Sequence, residues 1–209
     1  MLSMINLKRN KSLIIGSFLM LCGISMFIYS NINNKLHEKQ QLNLVEEFFI
    51  NEEEVMILPN EEVIKETKIK DATENYIAVI EIKKINLKSI LVDQKSKQNN
   101  VNKHIQIMGS STMPNVANGT LILAGHSGNG WNAYFKNLIK LKLDDIVTIY
   151  YGGMKYNYSV IKIYNQKKNG QIKLNYNHTE TNLILTTCHS YDKNKQLIVI
   201  TKLINKETY

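Results

Sequence analysis

The sequence predicts a mainly β fold, a barrel or sandwich of about seven or eight strands behind an N-terminal membrane helix. Three observations carry that expectation: an uncharged apolar run near the N-terminus, short β-rich segments from Tyr76 onward, and charge that divides the 209 residues into three parts. Residues 1–34 carry +3, residues 35–71 hold 5 Lys and 10 Asp/Glu for −5, and residues 72–209 hold 18 Lys and 8 Asp/Glu for +10. With 44% hydrophobic residues, a chain of this length holds one packed domain of ordinary size plus extensions.

The first part opens on Lys8, Arg9 and Lys11, a basic tail over 1–11, followed by SLIIGSFLMLCGISMFIYSNIN over 12–33. Roughly 20 helical residues rising 1.5 Å each cover the ~30 Å hydrocarbon layer. Basic residues precede the span and acidic residues follow it, so the positive-inside rule places the N-terminus in the cytoplasm and the rest outside. The run exceeds the apolar core of a cleaved signal peptide, and no A-x-A-like site follows it. An uncleaved anchor is expected. Residues 34–71 mix Glu, Lys and Gln with short apolar clusters and read as a solvated, partly helical stalk. The patches LVEEFFI and EVMIL leave open a fold-back onto the domain as a small helix or lid.

The domain, 72–209, is read strand by strand. YIAVIEI (76–82) and SILV (89–92) open it, and GTLILAGH (119–126) is a buried strand. Trp131, Tyr134, Phe135 and Leu138 fall at helical spacing, which predicts a short helix over 131–141. DIVTIYY (145–151), YNYSVIKIYN (156–165), NLILTTC (182–188) and QLIVITKL (196–203) follow as strands. Gly152-Gly153 between two of them has hairpin chemistry. No repeat, phosphate-binding glycine loop or metal-ligand spacing is present in the sequence, so neither metal nor cofactor is implied.

Two residues stand at the ends of strongly apolar strands: His126 closes TLILAGH and Cys188 closes NLILTTC. Strand ends place side chains rigidly at a barrel rim, where a large substrate can reach them. A free thiol is mostly protonated at neutral pH, and an imidazole can take that proton and later give one to a leaving amine. Cys22 lies inside the membrane run, so Cys188 is expected as a free thiol. By residue type alone the pair stays open between catalysis and a small buried hydrophobe.

The wording around the pair adds a resemblance. NGTLILAGHSG (118–128) resembles the sortase His motif, and LILTTC (183–188) looks like the sortase TLxTC motif. The 62-residue separation, the His-before-Cys order and YFKNLIKLKLDDIV (134–147), similar to the family's F-x-x-L…L-x-x-G-D-x-V segment, agree with it. The resemblance covers about residues 76–203. It implies an eight-stranded β-barrel and a membrane-anchored cysteine transpeptidase of a Gram-positive surface. Such an enzyme cuts an LPxTG-type C-terminal sorting signal after its Thr, holds the protein as a thioester, and passes it to an amine of a cell-wall precursor or a pilin Lys. Cys188 would be nucleophile, His126 acid/base, and Thr187 would help bind substrate or stabilise the oxyanion. Thr187 also reads as a plain β-branched strand residue.

One departure stands out: sortases carry an Arg on the strand after the Cys, and Arg9 is the single Arg of this sequence. The family register points to Gln196, and a one-residue shift points to Lys195, on the opposite side of the strand. A Gln amide still donates a hydrogen bond but has no charge. Losing a charged oxyanion donor costs on the order of 10²–10³ in turnover, so a slow enzyme or a substitute Lys is expected. His189 follows Cys188 and should point away from it, while His104 and His178 sit in polar stretches and are expected in solvent. Lys167, Lys168 and Lys173 flank Gly170 in a basic loop, 165–181, which reads as solvated surface and, by the resemblance, lines the substrate groove. The +10 domain suits an anionic cell wall, and no aromatic-basic pattern for nucleic acid accompanies it. Two other functions compete: a cell-wall cysteine hydrolase, whose Cys commonly precedes its His, and a sortase-fold binding module without activity, motivated by the missing Arg.

Overall fold

In the computed structural model the described residues are 2–57, 76–169, 174 and 176–209, with side chains in the N-terminal helix described for 11–52. The stalk residues 58–71, the side chains of the EVMIL patch, Gly170 and Lys173 lie outside them. The chain divides into two compact units, Met1–Gln40 and Gln41–Tyr209.

The first unit belongs to a helix, α1 (Leu2–Ile57). Its apolar stretch is long and apolar enough to cross a membrane, and the most apolar window has no buried residue. Leu13, Phe18, Leu21 and Phe27 stand outward, as they would against lipid.

The second unit is built on eight strands: β1 (Tyr76–Ile82), β2 (Leu87–Val92), β3 (Gln106–Ile107), β4 (Thr120–Ala124), β5 (Ile146–Tyr151), β6 (Met154–Lys167), β7 (Asn182–Cys188) and β8 (Lys195–Thr208). They form a single sheet in the order β2-β1-β5-β6-β8-β7-β4-β3. A parallel bridge from Leu91 to Ile105 brings the two edges together, so the sheet is a nearly closed barrel. The eight-stranded barrel expected from the sequence is therefore present. Two-residue β3 is too short to leave a periodic signal, and the sequence reading passes over it.

Alternation decides which side chains fill the barrel. Ala78, Ile80 and Ile82 of β1, Val147 and Ile149 of β5, Leu183 and Leu185 of β7, and Leu197 and Val199 of β8 join one buried cluster. Each Val, Leu or Ile among them contributes about 1.5–3 kcal/mol by leaving water. At the β5–β6 hairpin, Gly152 (φ 58°) and Gly153 (φ 71°) both take the left-handed conformation that glycine adopts without Cβ strain.

Two local expectations change. The 131–141 segment is not an α-helix but a series of turns ending in a 3₁₀ turn, Leu138–Lys140. Phe135 donates its backbone N–H to His126 O at 2.9 Å, and Phe135 and Leu138 insert into the core, so tertiary anchoring overrides the spacing. The LVEEFFI patch, read mainly as solvated stalk, instead packs: Val45 and Phe48 are buried with Val79, Ile90 and Val92 on the outer side of β1 and β2. Residues 44–50 belong to α1 and not to a separate small helix, and their Val45 and Phe48 pack because an apolar helical stripe beside an uncovered apolar sheet face removes both from water.

Candidate active site at the ends of β4 and β7

Strands β4 and β7 run parallel, paired from Thr120–Asn182 to Ala124–Thr186. Continued by two residues, that register would bring His126 beside Cys188, since the two differ by the same offset as the paired residues. Parallel neighbours lie about 4.8 Å apart, so the two chain ends deliver an imidazole and a thiol to one rim. The junction is tied twice: Gly125 N–H donates to Thr186 O at 3.2 Å, and Thr187 Oγ1 donates to Gly125 O at 2.7 Å. A Cβ on Gly125 would meet Phe135 Cδ2 at 2.9 Å, so the close approach of the 131–135 loop requires glycine here.

Thr187 is thus buried, on the side of β7 that carries Leu183 and Leu185 and opposite to Cys188. Its hydroxyl is spent on the β4–β7 junction. The side of β7 that bears Cys188 carries Thr186 and Ile184. There Ile122, Ile184, Ile198 and Ile200 form a second apolar cluster with Met108, Tyr164, Leu174 and Tyr176 packed against it. An apolar floor thus leads to the thiol.

Cys188 is a half-buried free cysteine, and Cys188 pairs directly with Gln196 across β7–β8. In antiparallel sheets directly paired residues share a face, so Gln196 accompanies the thiol and Lys195 faces away. Lys195 is held in an ion pair with Asp192, at 3.0 Å. That contact and the Asn194 N–H keep the Asp192 carboxyl below the usual carboxylate range. Of the two candidates for the Arg position, Gln196 is the one the register brings to Cys188.

Two further residues touch the pair. His126 Nε2 meets Asn102 Oδ1 at 3.2 Å, and Asn102 O in turn accepts from Asn132 Nδ2 at 3.1 Å. Lys168 Nζ donates to Cys188 Sγ at 3.4 Å. Asn102 sits in the polar run QNNVNKH, where nothing in the sequence separates it from its neighbours. Lys168 was legible only as part of a basic loop, since its relation to Cys188 depends on the pairing of β6 with β8. Among the other histidines, His104 is buried rather than solvated, held by its N–H to Asn100 O at 3.0 Å. His178 is exposed beside the Tyr176 ring, and the His189 ring lies 6.0 Å from that of Tyr191.

No curated protein matches the chain. Solved structures with the same fold include a Sortase D5 transpeptidase of Clostridium perfringens, 22% identical over 81% of this chain and 98% of that one, with TM-score 0.56. Sortase C of Streptococcus pneumoniae is 21% identical over 73% and 82%, with TM-score 0.57. Sortase E1 of Streptomyces coelicolor is 17% identical over 64% and 91%, with TM-score 0.52. The family model described as Sortase domain matches residues 80–204, which take in β4, β7 and the rim where His126 and Cys188 emerge. On that match, which spans more than half of its length, the chain belongs to the sortase family.

Proposed function

We propose that the protein is an active, membrane-anchored transpeptidase that takes an LPxTG-like C-terminal sorting signal onto Cys188 and transfers the protein to an amine. The observation that supports this reading is the parallel β4–β7 register, whose continuation by two residues would bring His126 beside Cys188 at the end of an apolar floor. The sulfur attacks the scissile carbonyl, and His126 gives a proton to the departing nitrogen and takes one back from the incoming amine. Gln196, on the face of Cys188, offers an amide N–H to the oxyanion. Thr187 acts by fixing β7 to β4. The acceptor is an amine of a cell-wall precursor or a pilin Lys, both consistent with the +10 charge of residues 72–209 near an anionic wall.

Incubation of the full chain in detergent with a panel of sorting-signal peptides should give a thioester adduct at Cys188 by mass spectrometry. Cys188→Ala should abolish it. An adduct that persists in that variant sinks the assignment. A second reading, a sortase-fold module that binds a surface polypeptide without cleaving it, is favoured by one observation: the sequence has no Arg after Arg9. Peptide binding without acylation in any form would select it.

A further inference from the structure

The transpeptidase reading leaves a chemical gap, because Gln196 supplies no charge where the reaction develops a negative oxygen. We infer that Lys168 fills it: its ammonium is the cationic partner of Cys188, placed at the sulfur from β6 rather than from β8. The inference rests on the proposed function for its catalytic meaning, although the contact itself does not.

Two independent observations place Lys168. The first is the donor distance of 3.4 Å from Nζ to Cys188 Sγ. The second is strand alternation. Gln166 pairs with Gln196, and Gln196 with Cys188, so the three form one row across β6, β8 and β7 on one face. Lys168 lies two residues beyond Gln166, and its backbone N–H donates to Asn194 O at 2.7 Å, which continues the pairing past the end of β6. Its side chain therefore belongs to the face of Cys188, whereas Lys167, paired with Lys195, belongs to the other.

An ammonium within donor reach of the sulfur offers a positive charge to an anionic reagent or to an oxygen that turns negative during attack. Attack forms the S–C bond while the carbonyl π pair moves onto oxygen. One N–H of the ammonium can remain on sulfur while another meets that oxygen, since Lys presents three donors. Collapse re-forms C=O and breaks the C–N bond, whose nitrogen leaves with a proton from His126, and the acyl group stays as a thioester.

The test uses the full chain in detergent, with Lys168→Met, Lys168→Arg and the opposite-face control Lys167→Met. Alkylation of Cys188 by iodoacetate and by iodoacetamide, followed by peptide mass spectrometry, reads the contact without any sorting signal. Lys168→Met should slow alkylation on the order of tenfold, less than for a buried oxyanion donor because water shares the site. The preference for the anionic reagent should fall with it. Lys168→Arg should retain most of both, and Lys167→Met should match the parent. Thioester formation should follow the same ranking. Parent-like alkylation in Lys168→Met overturns the inference, as does an equal loss in Lys167→Met, which would reduce the effect to general surface charge. If alkylation depends on Lys168 while the parent chain accepts no sorting-signal peptide, the contact stands and the transpeptidase reading falls.

Discussion

At the scale of single residues, the site is a matter of which face of a strand each side chain occupies. Cys188 and Gln196 are directly paired, and Lys195 is one residue out of step, engaged with Asp192 at 3.0 Å. A donor on the wrong face cannot reach the oxyanion, however well charged. Gln196→Ala should therefore lower single-turnover acylation by about tenfold or more, while Lys195→Ala leaves it near the parent rate. Collapse in Lys195→Ala with no change in Gln196→Ala would reverse the assignment. Gly125 shows the same dependence on placement from the side of His126. Its missing side chain admits Phe135, and the Phe135 N–H holds His126 O. The imidazole is thus positioned by a core aromatic as well as by Asn102.

At the scale of elements, the docked part of α1 behaves as an added layer on the outer side of β1 and β2. Val45 and Phe48 are buried there, and Phe49 stacks edge-on with Tyr150 and Tyr209 at centroid distances of 5.0 and 5.3 Å. Ser89 Oγ donates to Gln41 Oε1 at 3.2 Å, and Gly153 N–H donates to Glu52 Oε1 at 3.4 Å, so both ends of this helical layer are pinned. The other Glu52 oxygen, Oε2, is buried with no hydrogen-bond partner among the described residues. Burial pushes the Glu52 carboxyl above its ordinary value, against a smaller opposing pull from the Gly153 and Gly152 N–H groups. A raised folded-state pKa means that the docked state binds the proton more tightly. Its contribution is fully present below the ordinary Glu value and is lost as pH rises through the raised one. Hydrogen-exchange protection of residues 44–50, corrected for intrinsic rates, should therefore weaken as pH rises across that window. Glu52→Gln should flatten the profile. Protection that grows with pH in the parent would contradict this account.

At the scale of the whole molecule, a helix long and apolar enough to cross a membrane precedes a barrel whose candidate active rim is formed by two parallel strands far apart in sequence. The basic residues Lys8, Arg9 and Lys11 before the apolar stretch set the expected orientation, with the barrel outside. Protease added to intact protoplasts should remove the barrel and leave a small membrane-bound stub; protection of the whole chain would invert that topology. Much of this organisation was legible from the amino acids. The apolar run, the β-rich segments, the Gly152-Gly153 turn and the His and Cys motifs are local patterns, and hydrophobic period and turn chemistry act over only a few residues. Short β3 and the turns over 131–141 were not legible, and the docking of Val45 and Phe48 was legible only as an alternative, since each depends on partners distant in the chain. The site divides in the same way. The sequence by itself determined the β-barrel class and a helix apolar enough to cross a membrane, and it put forward Cys188 and His126 as the candidate pair. The tertiary structure alone decided that Gln196 shares the face of Cys188, that Thr187 braces the interior, and that Lys168 reaches the sulfur, because the face a residue shares with another strand depends on register, and register is set by pairing across the sheet.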